Sequence, residues 1–180
     1  VFNFGNLKEK DEYVYIQSMI EGVTNNLFKK IKDENILKQK NDFIQKETEC
    51  VQICQNLMKK NNDVSIVSLR EVNRFNAFVS FFFDYLTKRK NMKNNLEEND
   101  IINFYYSKND LEILLCSVNL SLFICYYLRI PDKQSRKEIC NLLNEKKYFS
   151  DGDFLRVPKM EQDYLLENFS FHIMNVLIPE

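Results

Sequence analysis

Arg70 and Arg74 are the residues of this chain whose type and spacing could do chemistry. They stand four positions apart, and residues four apart lie on one side of a helix. A guanidinium is a permanently charged, forked donor that fits the oxygens of carboxylates and phosphates. The N-terminus of a helix already carries partial positive charge, so two arginines there are mildly unfavourable on their own. Their position therefore raises the question of which anion they meet.

The helix that carries the two arginines has a start signal of its own. Ser68 and Glu71 have the Ser-x-x-Glu spacing of a capping box, in which each side chain bonds the backbone N–H near the other. The pattern predicts a helix that begins at Leu69 and continues through apolar and aromatic residues to the basic run at 88–90. Because its middle is apolar on most sides, we expect this helix to be central in the core.

Composition bounds the rest of the chain. It has 180 residues, 44% of them hydrophobic, and a net charge of -1, which suits one globular domain and gives no general attraction to nucleic acid. Only three glycines and three prolines occur, so long helices with few tight turns are favoured. We predict an all-α helical bundle with an extended N-terminal loop at 1–7. Helical spacing predicts helices at 8–21, weakly within 24–40, and at 42–58, 111–130, 132–147 and 159–176.

The apolar segment 111–130 is long enough to cross a membrane. Glu112, Asn119 and two serines within it argue against a span, as does the lack of a basic flank beyond Arg129. We therefore expect a buried helix of the bundle, with a membrane-anchored protein as a minor alternative.

Cysteine usage and missing motifs restrict the chemistry. Cys50 and Cys54 have helical i, i+4 spacing, but His172 is the only histidine and no Cys-x-x-Cys pair occurs. Five free, buried thiols in a reducing compartment are predicted, with no metal site. The sequence contains no phosphate-binding Gly-Lys-Ser/Thr loop and no catalytic Ser/His/Asp order. We assign no catalytic residue and expect no enzymatic activity from this chain alone.

Four stretches, in one order, resemble the mysterin family of giant RING-type ubiquitin ligases, which have a dynein-like AAA+ core. They are 1–7 with the following Glu12 and 15–16, then 68–74, then 117–129, and finally 163–180. The stretch 68–74 resembles the family phrase Ser-Leu-Arg-Asp-Val-Glu-Arg. This stretch departs from the family phrase at two positions. The family has Asp at the position of Glu71 and Glu at the position of Asn73. The segments 59–63 and 88–100 resemble nothing in the family.

The resemblance implies that the chain is the helical lid of one AAA+ module and the connector to the next. Residues 1–63 would lead into the lid, 64–130 would form its core and 131–180 would be the connector. Arg70 would match the sensor II arginine, which reaches toward the γ-phosphate of ATP. Arg74 would be a second phosphate ligand or a structural pairing partner. ATP and Mg²⁺ would be bound mainly by a domain outside this segment.

The resemblance further implies a cytoplasmic protein. Its partners would be neighbouring AAA+ modules of the same chain and, through the full-length protein, the ubiquitin machinery. The segment would couple ATP binding and hydrolysis to conformational change. The competing interpretation is a stand-alone α-helical module that binds other proteins through its aromatic surface.

Overall fold

The computed structural model describes residues 9–61, 69–91, 109–130, 132–145, 171–173 and 176–178. Within these ranges the chain forms six α-helices, one 3₁₀ turn and two short strands. The α-helices are α1 (Glu9–Phe28), α2 (Glu34–Lys38), α3 (Lys40–Asn61), α4 (Leu69–Asn91), α5 (Asp110–Cys125) and α6 (Lys133–Glu145). The 3₁₀ turn is Tyr127–Arg129, between α5 and α6, and the strands are β1 (Phe171–Ile173) and β2 (Val176–Ile178).

The helices form an all-α bundle, as predicted, and α4 is one of its long packed helices. Helix α4 packs against α1 on one side and α5 on the other, while α3 packs against α1, α5 and α6. Four long helices therefore surround one apolar core. The largest side chains that are completely buried in it include Tyr126, Phe75, Phe82, Ile16, Ile20 and Met58.

Helix α1 is longer than the predicted 8–21, because Gly22 does not end it. Gly22 is exposed, and a Cβ at this position would meet nothing within 4 Å. A helical glycine costs about 1 kcal/mol relative to alanine, which is a small penalty beside the burial of the next turns. Leu27 and Phe28 lie in the core and extend the helix by two turns.

Helices α2 and α3 agree with the sequence patterns at 24–40 and 42–58. Asp33 caps α2: its side chain accepts a hydrogen bond from the backbone N–H of Asn35 at 2.8 Å. Ile36 is the buried residue of this short helix. Helix α3 begins two residues before the predicted start and continues to Asn61.

Helix α5 begins with a capping box that the sequence analysis did not identify. The Asn109 side chain accepts from the N–H of Glu112, and the Glu112 carboxylate accepts from the N–H of Asn109, both at 2.9 Å. By length and composition alone, the segment Asp110–Arg129 could cross a membrane. In the bundle 72% of this apolar segment is buried, which is how the core helix of a globular protein behaves.

The predicted helix 159–176 is wrong where the structure describes it. Strands β1 and β2 form an antiparallel hairpin in which Phe171 pairs with Ile178 and Ile173 with Val176. Short runs of aromatic and β-branched residues suit a strand, and over a few residues helical spacing cannot be told from strand spacing. The rest of that helix, the loop at 1–7 and the linker 92–108 lie outside the described residues.

A candidate anion-binding site at the start of helix α4

Helix α4 begins at Leu69, as the sequence pattern predicted. Ser68, the other half of the predicted capping box, lies outside the described residues. The Glu71 side chain is only 6% exposed and lies against the bundle. Its carboxylate is the acceptor for two arginines, which is a different role from capping the helix start.

Arg74 and Arg129 both pair with the Glu71 carboxylate. Arg74 lies one turn further along α4, and its Nη1 donates to Glu71 Oε2 at 3.1 Å and to Oε1 at 3.4 Å. Arg129 comes from the 3₁₀ turn after α5, and its Nη1 forms an ion pair with Glu71 Oε2. The alternative in which Arg74 is a structural pairing partner thus has direct geometric support.

The two arginines differ in their exposure to solvent. The Arg74 side chain is 49% exposed and that of Arg129 is 29% exposed. Exposed helical ion pairs contribute about 0.3–0.5 kcal/mol, because water screens them. Arg129 is therefore the more buried of the two partners, and its ion pair joins the start of α4 to the junction of α5 and α6.

Arg70 lies in the first turn of α4, immediately before Glu71, and is exposed. Together Arg70, Arg74, Arg129 and Glu71 carry three positive charges and one negative charge, a net charge of +2. Two of these guanidiniums, on Arg70 and Arg74, reach solvent from one side of the helix. Two exposed guanidiniums beside a helix N-terminus give this end of the bundle donors that suit an anion.

Cys125, the last residue of α5, lies within the influence of these charges. The pKa of its thiol is raised to about 12, chiefly by burial and also by the Glu71 carboxylate, while Arg74 and Arg129 oppose the rise. The thiol therefore stays protonated at neutral pH and is a poor nucleophile. The chemistry that this cluster can perform is binding.

All five cysteines are buried and none forms a disulfide, which confirms the predicted buried thiols. In the described part of the chain, no group of three or more His, Cys, Asp or Glu side chains has an arrangement that could hold a metal ion. The Arg70 and Arg74 side chains are the groups that could contact a cofactor, through its phosphate oxygens.

Two further surface features could take part in binding. A shallow pocket of about 310 Å³ lies among the ends of α1, α4 and α5 and is lined by Lys30, Phe83, Asp84, Thr87, Lys88 and Asp110. Across this pocket Lys30 Nζ lies 2.6 Å from Asp84 Oδ1, so these two charges of the pocket lining neutralise each other. On α4, the ring of Phe81 is 56% exposed, although the sequence pattern predicted that this part of the helix is buried.

Sequence reasoning located Arg70 and Arg74 but missed the roles of Glu71 and Arg129. Glu71 was interpreted as a cap, and Arg129 as the flank of an apolar segment. The one available signal was a single basic residue, Arg129, just after an apolar helix whose charged residues all lie in its first turn. No protein family, curated protein or solved structure matches this chain.

Proposed function

We propose that this chain is a non-catalytic helical lid and linker of an AAA+ ATPase core within a RING-type E3 ubiquitin ligase. It couples ATP binding and hydrolysis to conformational change. The observation that carries the proposal is the exposed Arg70 in the first turn of α4, next to a carboxylate that holds Arg74 and Arg129. We infer that the ligand is a nucleotide from the resemblance of 68–74 to the lid phrase of the mysterin family.

The geometry is suited to such coupling. Arg70 is carried by a helix that packs against both α1 and α5, so a force on its guanidinium acts on the packed bundle rather than on a loose loop. ATP and Mg²⁺ would be held mainly by a domain outside this chain. The arginine would add a forked, permanently charged donor to the phosphates. Neighbouring AAA+ modules and the ubiquitin machinery would be the partners, in the cytoplasm.

The test is Arg70→Ala in a protein that carries this chain together with its expected ATPase domain. We expect ATP turnover to fall by about tenfold, the loss of roughly one charge-assisted contact, with the helical content unchanged. Lys137→Ala, which removes an exposed cation from α6, is the matched control and should leave turnover as it was. Unchanged turnover and nucleotide affinity in Arg70→Ala would reject the sensor role. The 180-residue chain alone is expected to hydrolyse no ATP.

The second candidate function is a stand-alone module that binds other proteins through an aromatic surface, and the exposed Phe81 favours it. The Phe81 ring stacks on Tyr85, with 6.1 Å between ring centroids, and its edge meets Phe82 at 5.3 Å. Large exposed aromatic rings commonly mark contact surfaces. Phe81→Ser separates the two functions: the interaction module loses binding and the lid keeps its ATP turnover. Arg70→Ala has the reverse effects.

A further inference from the structure

One carboxylate, that of Glu71, receives two guanidiniums of different origin. Arg74 belongs to the same helix and is half exposed, whereas Arg129 belongs to the turn between α5 and α6 and is more buried. A buried carboxylate without any partner would be strongly unfavourable. One guanidinium is enough to neutralise it, so the second is in surplus.

Arg74 is the partner that can leave. Its pair with Glu71 is a local contact within one helix, between a buried group and a half-exposed one, and solvent screens such contacts. If Arg74 turns away, Arg129 still neutralises Glu71. If Arg129 were lost instead, Arg74 would become the remaining guanidinium on a buried charge and would be held there.

We propose that Arg74 exchanges its partner, from Glu71 to an incoming phosphate group, while Arg129 holds Glu71 in place. This rests on the proposed function, in which the phosphate belongs to a nucleotide beside Arg70. Arg129 is a positioning residue and does not touch the phosphate. Because it lies in the turn that leads into α6, the start of α4 stays joined to that turn whether or not phosphate is bound.

The exchange predicts that substitutions of Glu71 and Arg129, which contact each other, change the phosphate affinity in opposite directions. The Glu71 carboxylate competes with phosphate for Arg74, so Glu71→Gln should tighten phosphate binding. Arg129→Gln should weaken it, because Arg74 must then stay with Glu71. A purely structural role for the cluster would weaken binding in both variants.

The experiment uses the full 180-residue chain, labelled with ¹⁵N and titrated with inorganic pyrophosphate at low ionic strength, where screening is weak. The arginine Nε–Hε signals report each guanidinium separately. We expect the signals of Arg70 and Arg74 to shift and that of Arg129 to stay. We expect Glu71→Gln to tighten binding by about threefold and Arg129→Gln to weaken it by about fivefold.

Two control variants separate this effect from general electrostatics. Glu138→Gln removes a carboxylate from α6, where it faces Lys60 at 3.7 Å, and should leave the affinity unchanged. Arg129→Lys keeps the charge that neutralises Glu71 and should restore near-normal affinity. If Arg129→Gln does not fold, the Glu71→Gln affinity and the Arg74 signal decide the question.

A shift at Arg70 without one at Arg74 would overturn the partner exchange and leave the proposed function standing. A shift at Arg129 equal to that at Arg74, or weaker binding in Glu71→Gln, would also overturn the exchange. Pyrophosphate that moves no arginine signal at all would overturn both the exchange and the phosphate-binding role of Arg70.

Discussion

Thr24 on α1 donates a hydrogen bond to the buried carboxyl group of Glu47 on α3, with 3.0 Å between Thr24 Oγ1 and Glu47 Oε2. Both residues lie inside the interface between the two helices. Burial raises the pKa of Glu47 to about 8, and the Thr24 hydrogen bond only partly opposes this shift. At neutral pH the group is therefore mostly a neutral acid.

This buried acid makes the stability of the bundle depend on pH. Glu47 takes up a proton on folding, because its pKa rises from 4.5 to about 8. The stabilisation is fully present below pH 4.5, declines as the pH rises toward 8, and then levels off. Glu47→Gln keeps a neutral side chain at every pH and should remove the decline. By pH 8 the natural chain should have lost roughly 4 kcal/mol of this stabilisation, a loss that the variant does not undergo.

Urea unfolding at several values between pH 5 and pH 8.5 measures this difference. Thr24→Val is the matched control: it removes the hydrogen-bond donor but keeps the buried carboxyl group, so the decline should persist. A natural chain whose stability stays level over this range, or a Glu47→Gln variant that keeps the decline, would show that Glu47 is ionised in the folded state.

A second buried polar contact joins α3 to the end of α5. Gln55 Nε2 donates to the hydroxyl oxygen of Tyr126 at 3.4 Å, and Tyr126 is completely buried. Tyr126→Phe leaves the Gln55 amide unpaired in the core and should cost about 1–3 kcal/mol. Adding Gln55→Leu removes the orphaned amide, so the double variant should recover most of that loss. Thermal or urea unfolding of the two single variants and the double variant measures the coupling.

If the stability losses of Tyr126→Phe and Gln55→Leu simply add up in the double variant, that result would contradict the contact between Gln55 and Tyr126. Gln55 Oε1 already has no hydrogen-bond partner among the described residues. We therefore expect Gln55→Leu alone to cost less than Tyr126→Phe, because it leaves the buried Tyr126 hydroxyl without this partner but also removes an unpaired acceptor.

The sequence predicted those features that depend on neighbouring residues. The start of α4 at Leu69 was predicted from the Ser68 and Glu71 spacing ahead of a local apolar series, and the short helix around Ile36 was predicted from helical spacing. The role of Arg129 could not be predicted, because its pairing with Glu71 depends on how α5 packs against α4. Spacing along the chain carries no information on that packing.

The predictions that differ from the structure do so for physical reasons. Gly22 was interpreted as a helix end, but the burial of later turns outweighs the small propensity penalty of one glycine. Phe81 lies off the apolar stripe of α4, and the prediction that the middle of this helix is buried on most sides is wrong at that residue, because one side of α4 faces solvent. The hairpin at the end of the chain was too short for its spacing to be distinctive.

The five cysteines should be unreactive while the chain is folded. Each thiol is buried, and burial raises the pKa of both Cys54 and Cys125, so that neither supplies thiolate near neutral pH. Alkylation by iodoacetamide should be at least about a hundredfold slower in buffer than in urea, because it requires opening of the bundle. Mass spectrometry of the alkylated peptides measures each site. Rapid alkylation of Cys54 in buffer would contradict its burial.

The two arginines on Glu71 should differ in their contributions to stability. Arg129→Gln should cost about 2 kcal/mol, because it removes the more buried partner of a buried carboxylate. Arg74→Gln should cost less than about 1 kcal/mol, because Arg74 is half exposed. The double variant should lose more than the sum of the two, since it leaves Glu71 without either guanidinium. Adding Glu71→Gln should then restore part of the loss. Urea unfolding of these variants gives the free energies, and strict additivity would show that Glu71 does not share its charge between the two arginines.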